Sequence, residues 1–195
     1  MFAGIVAAVG SVAAARPAAG GLRLRVSGGG LELADVAVGD SIAVSGVCLT
    51  VAALDAEGFE ADVSAETLAC TTGFAVGERV NLEKALRLSD RVGGHLVTGH
   101  VDGVGRISRF EAVGDNRRLA VETPRDLARY LARKGSVTVN GVSLTINEAN
   151  GSGFMVNLIP HTLAVTNLGG LRKGDRVNVE VDMMARYVER LHEPQ

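Results

Sequence analysis

Two groups of polar residues are placed so that they could do chemistry. The first is Ser41, Cys48, Thr50, Asp62, Ser64, Glu66 and Thr67; the second is Lys134, Ser136, Ser143, Thr145, Asn157, His161 and Thr162, with His100 joined to it. Residues two apart on a strand share a face. Cys48 with Thr50, Ser143 with Thr145, and Asp62 with Ser64 and Glu66 therefore form polar stripes. Hydroxyls donate and accept, and carboxylates accept, so these stripes suit a ligand rich in sugar-like hydroxyls. An outer strand face that is merely solvated has the same alternation, and the pattern alone leaves both readings open.

The groups correspond because the chain contains itself twice. Gly39–Val51 aligns with Lys134–Ile146 at an offset of 95 residues, with six of thirteen positions identical. The same offset aligns Gly4-Ile5-Val6 with Gly99-His100-Val101, Glu66-Thr67-Leu68 with His161-Thr162-Leu163, and Thr71 with Thr166. After a two-residue insertion, Arg79–Glu83 matches Arg176–Glu180. Several blocks at one offset mark a duplication. The copies differ where chemistry would sit: Cys48 faces Ser143, Glu66 faces His161, Ser64 faces Ile159, Asp62 faces Asn157, Ile5 faces His100 and Gly39 faces Lys134.

The elements that must position these residues read as short strands. Leu22–Val26, Ser41–Ser45, Cys48–Leu54, Phe59–Val63 and Val80–Leu82 have strand patterning in the first copy. Arg118–Glu122, Phe154–Ile159 and Val177–Val181 have it in the second. With 25 glycines marking turns, the expectation is an all-β chain of two similar six-stranded antiparallel Greek-key barrels plus a C-terminal α-helix. The expected units are 1–87, 88–182 and a terminal amphipathic segment, 183–195. Met1–Gly10 is apolar without a basic start and reads as a strand rather than a signal peptide. Thr123 and Pro124 signal the start of a helix running to about Lys134, with Leu127, Tyr130 and Leu131 on its apolar face. Met183, Met184, Tyr187, Val188 and Leu191 form a stripe on the terminal helix that must be buried, on its own chain or against other copies.

Composition narrows the function classes. A net charge of −2 gives no basic field for nucleic acid or an anionic membrane, and no apolar run approaches the ~20 residues of a spanning helix. Cys48 and Cys70 cannot make a disulfide framework or a four-thiolate metal site, so two reduced thiols in a cytoplasmic protein are expected. His95 and His100, five apart, would fall on opposite strand faces, which argues against a metal pair. Gly103-Val-Gly105 lacks a third glycine and a βαβ setting, and there is no P-loop and no GxSxG elbow.

Met1-Phe-x-Gly-Ile, Gly-Val-Cys48-Leu-Thr50-Val, Glu66-Thr67-Leu68, Gly93-Gly-His95-x-Val-x-Gly-His100-Val-Asp-Gly103, Asn140-Gly-Val-Ser143-Leu-Thr145 and Leu158-Ile-Pro-His-Thr162 closely resemble riboflavin synthase of the α-chain type. The resemblance runs from Met1 to about Leu191. It implies a homotrimer that converts two molecules of 6,7-dimethyl-8-ribityllumazine into riboflavin and 5-amino-6-ribitylaminouracil by four-carbon transfer. It implies no metal or organic cofactor, and a site between the N-barrel of one subunit and the C-barrel of its neighbour. Lumazine synthase is a further partner it suggests. A non-catalytic lumazine- or flavin-binding antenna protein of the same fold is the alternative.

By that resemblance, ligand contacts in the N-half fall on Gly4, Ile5, Val6, Cys48, Leu49, Thr50, Asp62, Val63, Ser64, Ala65, Glu66 and Thr67. Those in the C-half fall on Gly99, His100, Val101, Lys134, Ser143, Leu144, Thr145, Asn157, Leu158, Ile159, Pro160, His161 and Thr162. Backbone groups of the strand edges would read the ring, and the hydroxyls would hold the ribityl chain. His100 is the first candidate for proton transfer, since imidazole titrates near the working pH, with a structural strand-end role as its competitor. Cys48 is a nucleophile or, by preference, a small pocket residue. Ser41, Ser143, Thr145 and Asp182 are weaker candidates for orienting water or substrate. His95 reads as structural. Ala3 stands where threonine is usual and Ser45 where asparagine is frequent, and the short tail suggests a smaller trimer contact.

Overall fold

The computed structural model describes residues 1–192; positions 193–195 of the expected terminal segment lie outside the described residues. The first copy folds as β1 (Ala8–Ala18), β2 (Gly21–Ser27), β3 (Ser41–Val44), β4 (Val47–Leu54), β5 (Gly58–Ser64) and β6 (Arg79–Lys84). They close into a barrel in the order β1-β2-β5-β4-β3-β6. The second copy folds as β7 (Gly103–Val113), β8 (Asn116–Glu122), β9 (Ser136–Val139), β10 (Val142–Asn150), β11 (Gly153–Leu158) and β12 (Arg176–Val181). Read cyclically, its order β7-β8-β11-β10-β9-β12 is the same. Two antiparallel Greek-key barrels follow, as the alternation and turn spacing predict.

Alternation fills each barrel. Leu24, Val26, Ile42, Val44, Val51, Phe59 and Leu82 point into the first core, and Leu119, Val121, Val137, Val139, Ile146, Val156 and Val179 into the second. The β3–β4 hairpin turns on Ser45 (φ 46°) and Gly46 (φ 83°), and the β9–β10 hairpin on Asn140 (φ 48°) and Gly141 (φ 77°). Two successive left-handed residues make the type I′ turn that matches strand twist. The two turn tips meet between the barrels: a Cβ on Gly46 would lie 2.8 Å from the Gly141 nitrogen. Around them, Asn81 Nδ2 donates to the Asn140 carbonyl (2.9 Å) and Asn178 Nδ2 to the Ser45 carbonyl (2.9 Å). These bonds exchange under the repeat, so a pseudo-twofold relates the barrels.

Two expectations change, and two short helices are added. The first strand begins at Ala8, because Phe2 pairs instead with Val97 in an isolated antiparallel bridge. The expected helix after Thr123 is a 3-10 segment, Arg125–Tyr130, entered from Pro124; Leu127 and Leu131 anchor it and the chain turns extended at Leu131. Two short helices, α1 (Ala65–Cys70) and α2 (Pro160–Val165), occupy corresponding positions after β5 and β11.

The terminal helix, α3 (Met183–His192), forms as expected but docks in reverse. Its polar residues face its own barrel: Arg186 pairs with Asp102 and lies over the Tyr130 ring, and Glu189 accepts from Tyr130 and Arg129. Met184, Tyr187, Val188 and Leu191 are exposed, so the stripe is not buried on the described part of its own chain. No helix of the described residues is long and apolar enough to cross a membrane.

Two candidate pockets with exchanged walls

In each barrel the ladder beside the candidate residues is incomplete. The β4–β5 ladder runs only as far as Val51↔Ala61, and the β10–β11 ladder only to Ile146↔Val156. Beyond these pairs, Cys48–Thr50 separates from Asp62–Ser64, and Ser143–Thr145 from Asn157–Ile159. Ser41 lies opposite Thr50 and Ser136 opposite Thr145. Counting from the hairpin turns, these are non-hydrogen-bonded pairs. Thr50 and Thr145 therefore turn their backbone N–H and C=O into the opening.

A segment from the other copy enters each opening. The Cys48 N–H donates to the Gly99 carbonyl (2.8 Å), and the Ser143 N–H to the Gly4 carbonyl (2.8 Å). The approach needs glycine: a Cβ on Gly99 would lie 2.7 Å from Cys48 Cβ, and one on Gly4 2.6 Å from Ser143 Cβ. Val101 packs on the N-barrel core and Val6 on the C-barrel core. The segment of each half therefore meets the barrel of the other. Gly4 and Val6 lie against the C-barrel, and Gly99 and Val101 against the N-barrel; His100, between the latter two in sequence, is exposed and also borders a concavity with Asp102, Met183, Arg186 and Tyr187. The segments cross where Phe2 N–H donates to Val97 O (2.7 Å) and Val97 N–H to Phe2 O (3.0 Å).

The remaining candidates fall into place around the openings. Cys48 is half-buried and Thr50 exposed on the outer face of β4. Ser143 and Thr145 repeat this on β10. Leu49, Val63, Leu144 and Leu158 are buried in the barrel cores, so alternation leaves only their backbone to meet a ligand. Ser64 caps α1, accepting from Thr67 N–H (3.1 Å) and sharing a hydrogen bond with the Thr67 hydroxyl (2.9 Å). In the second copy Ile159 cannot cap, and Pro160 opens α2, its fixed φ suited to a first helical position. Ala65, Glu66 and His161 are exposed on these two helices, and Thr162 is partly covered. Asp62 is outward and engaged by Arg23 through two contacts, 2.6 and 2.8 Å. Asn157 is exposed on β11 opposite Arg118. Lys134 is exposed with φ 71°, its N–H donating to Ile146 O (2.8 Å). Asp182 accepts from Met184 N–H (3.0 Å) at the start of α3.

Two kinds of residue escaped the sequence reading. His95, read as structural, places Nδ1 2.7 Å from the Ser143 hydroxyl. Burial holds its pKa below the ordinary imidazole value, with the Asp182 carboxylate pulling the other way. A ring nitrogen at this distance from a hydroxyl takes its proton or donates to its oxygen, according to the tautomer. Its Nε2 is buried without a hydrogen-bond partner among the described residues. The other kind is a pair of buried carboxylates, Glu83 and Glu180, at corresponding positions of β6 and β12. Their signal was the matched block that ends on both.

Two closed barrels, each with an opening walled by the other copy, define a double-barrel ligand-binding protein. The lumazine binding domain matches the chain twice, over residues 3–85 and 98–182. Riboflavin synthase of Photobacterium phosphoreum is 44% identical over 193 residues, covering 98% of this chain and 88% of that protein. Riboflavin synthase of Brucella abortus (strain 2308) is 43% identical over 198 residues, covering 98% of both. The solved structure of LumP complexed with riboflavin superposes with a TM-score of 0.85 at 28% identity, covering 93% of this chain and 99% of that one. LumP complexed with 6,7-dimethyl-8-(1'-D-ribityl) lumazine superposes with a TM-score of 0.82, also at 28% identity and with the same shares covered. The chain belongs to the riboflavin synthase family.

Proposed function

We propose that the chain is a riboflavin synthase, joining two molecules of 6,7-dimethyl-8-ribityllumazine and releasing riboflavin and 5-amino-6-ribitylaminouracil. The observation that carries the mechanism is that its two pockets share a frame and differ in chemistry. Matched openings suit two identical substrates, and holding both removes much of the entropy cost of their encounter, up to ~7–11 kcal/mol in favourable systems. Yet one molecule must donate four carbons and the other accept them. The C-barrel pocket has a hydroxyl with a neutral base, Ser143 and His95. The N-barrel opening has Cys48, bonded to Gly99, the residue before His100.

The C7 methyl of one lumazine must lose a proton, and C7 of the other must be attacked by a nucleophile. His100 is assigned the proton transfer. Ser143, with His95 taking its proton, is assigned the nucleophilic or water-directing role. Thr50 and Thr145 offer backbone edges to the rings, Ser64, Thr67 and Thr162 hold ribityl hydroxyls, and Lys134 faces the C-barrel ligand. Cys48 is a small wall residue. Asp62 contributes through its pairing with Arg23.

In this reading the chain works as a homotrimer in the cytoplasm, with the N-pocket of one copy facing the C-pocket of the next. The outward apolar residues of α3, and Ile5 and Ile159 exposed beside the C-barrel pocket, support association between copies. Fluorescence of riboflavin formed from the lumazine tests the activity. His100→Ala should lower turnover more than ten-fold in a folded protein. Tight lumazine binding by the wild type with no riboflavin formed would instead establish the antenna reading.

A further inference from the structure

Glu180 lies on β12 in the C-barrel, yet it bonds to the segment that walls the N-barrel pocket. Its Oε1 accepts from Thr98 N–H and from the Thr98 hydroxyl, both at 2.7 Å, and its Oε2 from Gly99 N–H at 3.0 Å. The Thr98 hydroxyl in turn accepts from His100 N–H at 3.2 Å. One hydroxyl thus stands between the buried carboxylate and the backbone of His100. Glu83 on β6 does the corresponding work for the other pocket: Oε1 accepts from Ala3 N–H (2.7 Å) and Oε2 from Gly4 N–H (3.0 Å). There the chain of bonds stops, because Ala3 has no hydroxyl.

We propose that Glu180 is a positioning residue for the reaction: from one barrel it fixes, through Thr98 and Gly99, the backbone that bonds to Cys48 of the other barrel and carries His100 as its next residue. Burying a carboxylate is costly unless hydrogen bonds replace its water, and no salt bridge to Glu180 occurs among the described residues. The acceptors are spent on two adjacent backbone N–H groups and one hydroxyl, all within two residues of His100. A glutamine could accept on one side only and would set an NH2 group against the other donor. Glu83 gives a similar frame to Ala3 and Gly4 with backbone N–H groups alone.

The inference rests on the assignment of His100 to the N-barrel pocket, and a double-mutant cycle tests it. Glu180→Gln should lower kcat at least five-fold in the wild-type background and cause no further loss in His100→Ala. The same cycle is read on riboflavin affinity by fluorescence titration, which requires no turnover and so separates this inference from the activity itself. A Glu180→Gln protein with wild-type kcat and affinity overturns the proposal. Equal losses in both backgrounds also overturn it, because a merely structural residue would act without regard to His100. If Glu180→Gln does not fold, Thr98→Val carries the test, since it keeps the carboxylate and removes only the bridging hydroxyl. A two-fold or larger loss confined to the background with His100 supports the proposal, and no loss or a loss independent of His100 refutes it.

Discussion

Lys134 allows backbone strain and ligand binding to be separated at one position. It sits at φ 71°, a region where a side chain crowds the backbone, while its counterpart Gly39 sits at φ 98° without that cost. Both N–H groups make the same bond, Lys134 to Ile146 O and Gly39 to Val51 O, each at 2.8 Å. Lys134→Gly keeps that bond and removes only an exposed side chain. Relief of the left-handed conformation contributes about 1–2 kcal/mol. The greater freedom of glycine in the unfolded chain takes back about 0.5–1 kcal/mol. The net is about 0 to +1.5 kcal/mol, or a rise in Tm of up to about 6 °C for a chain of this size. Gly39→Lys is the reverse control. A Cβ there meets nothing within 4 Å, so its cost is the same net with the sign reversed, about 0–1.5 kcal/mol. Thermal melting and steady-state lumazine turnover are measured on both variants. Lys134→Gly should melt at or above wild type while its KM rises several-fold. A variant that melts several degrees lower refutes the strain argument, and unchanged kinetics remove Lys134 from the ligand site.

Three other outcomes are expected. Gly141→Ala should lose about 2 kcal/mol or more in urea denaturation, from a left-handed φ of 77° and a Cβ only 2.7 Å from the Gly46 nitrogen; a loss below about 0.5 kcal/mol would contradict the close meeting of the turns. Burial pushes the Glu83 carboxyl up to about 7, against its backbone N–H partners. Its folded pKa therefore lies above its unfolded one. Its contribution to stability is complete below about 4.5 and is lost as pH rises through about 7, by at most about 3.5 kcal/mol, because each tenfold change in a protonation equilibrium is worth about 1.4 kcal/mol. Glu83→Gln should flatten the stability profile across that window, and parallel profiles would refute the assignment. Finally, Tyr187→Asp with Leu191→Asp should lower the sedimenting mass without lowering the Tm of the barrels, and unchanged sedimentation would exclude the outward stripe from assembly.

The duplication made the barrels legible before any coordinates, because a 95-residue offset and period-two patterning constrain strand number and order in both copies at once. The crossing of the walls was not legible. An alignment pairs Gly4 with Gly99, but equivalence does not say which copy each touches, and a pseudo-twofold permits either. His95 escaped because the repeat supplies it no counterpart and its partner Ser143 lies 48 residues away. Helix α3 was found from its apolar stripe, but periodicity marks only two faces. That Arg186 and Glu189 would dock inward depended on Asp102 and Tyr130, neither near it in sequence. The expected α-helix after Thr123 yielded to 3-10 geometry because the buried anchors, Leu127 and Leu131, must reach one core and the chain must turn at once into β9.

The docking of α3 by charges makes ionic strength a control on the molecule. Its inward contacts, Arg186 to Asp102, Glu189 to Arg129 and the guanidinium over the Tyr130 ring, include partners that are well exposed to solvent. Screening shortens the reach of such exposed contacts to about 8 Å near physiological salt and about 3 Å at 1 M. Apolar association is not weakened in this way, and excluded salts strengthen it. An excluded salt such as sulfate therefore weakens the exposed Arg129–Glu189 contact while favouring burial of the helix's outer face, so one addition acts on both faces of α3 in opposite senses.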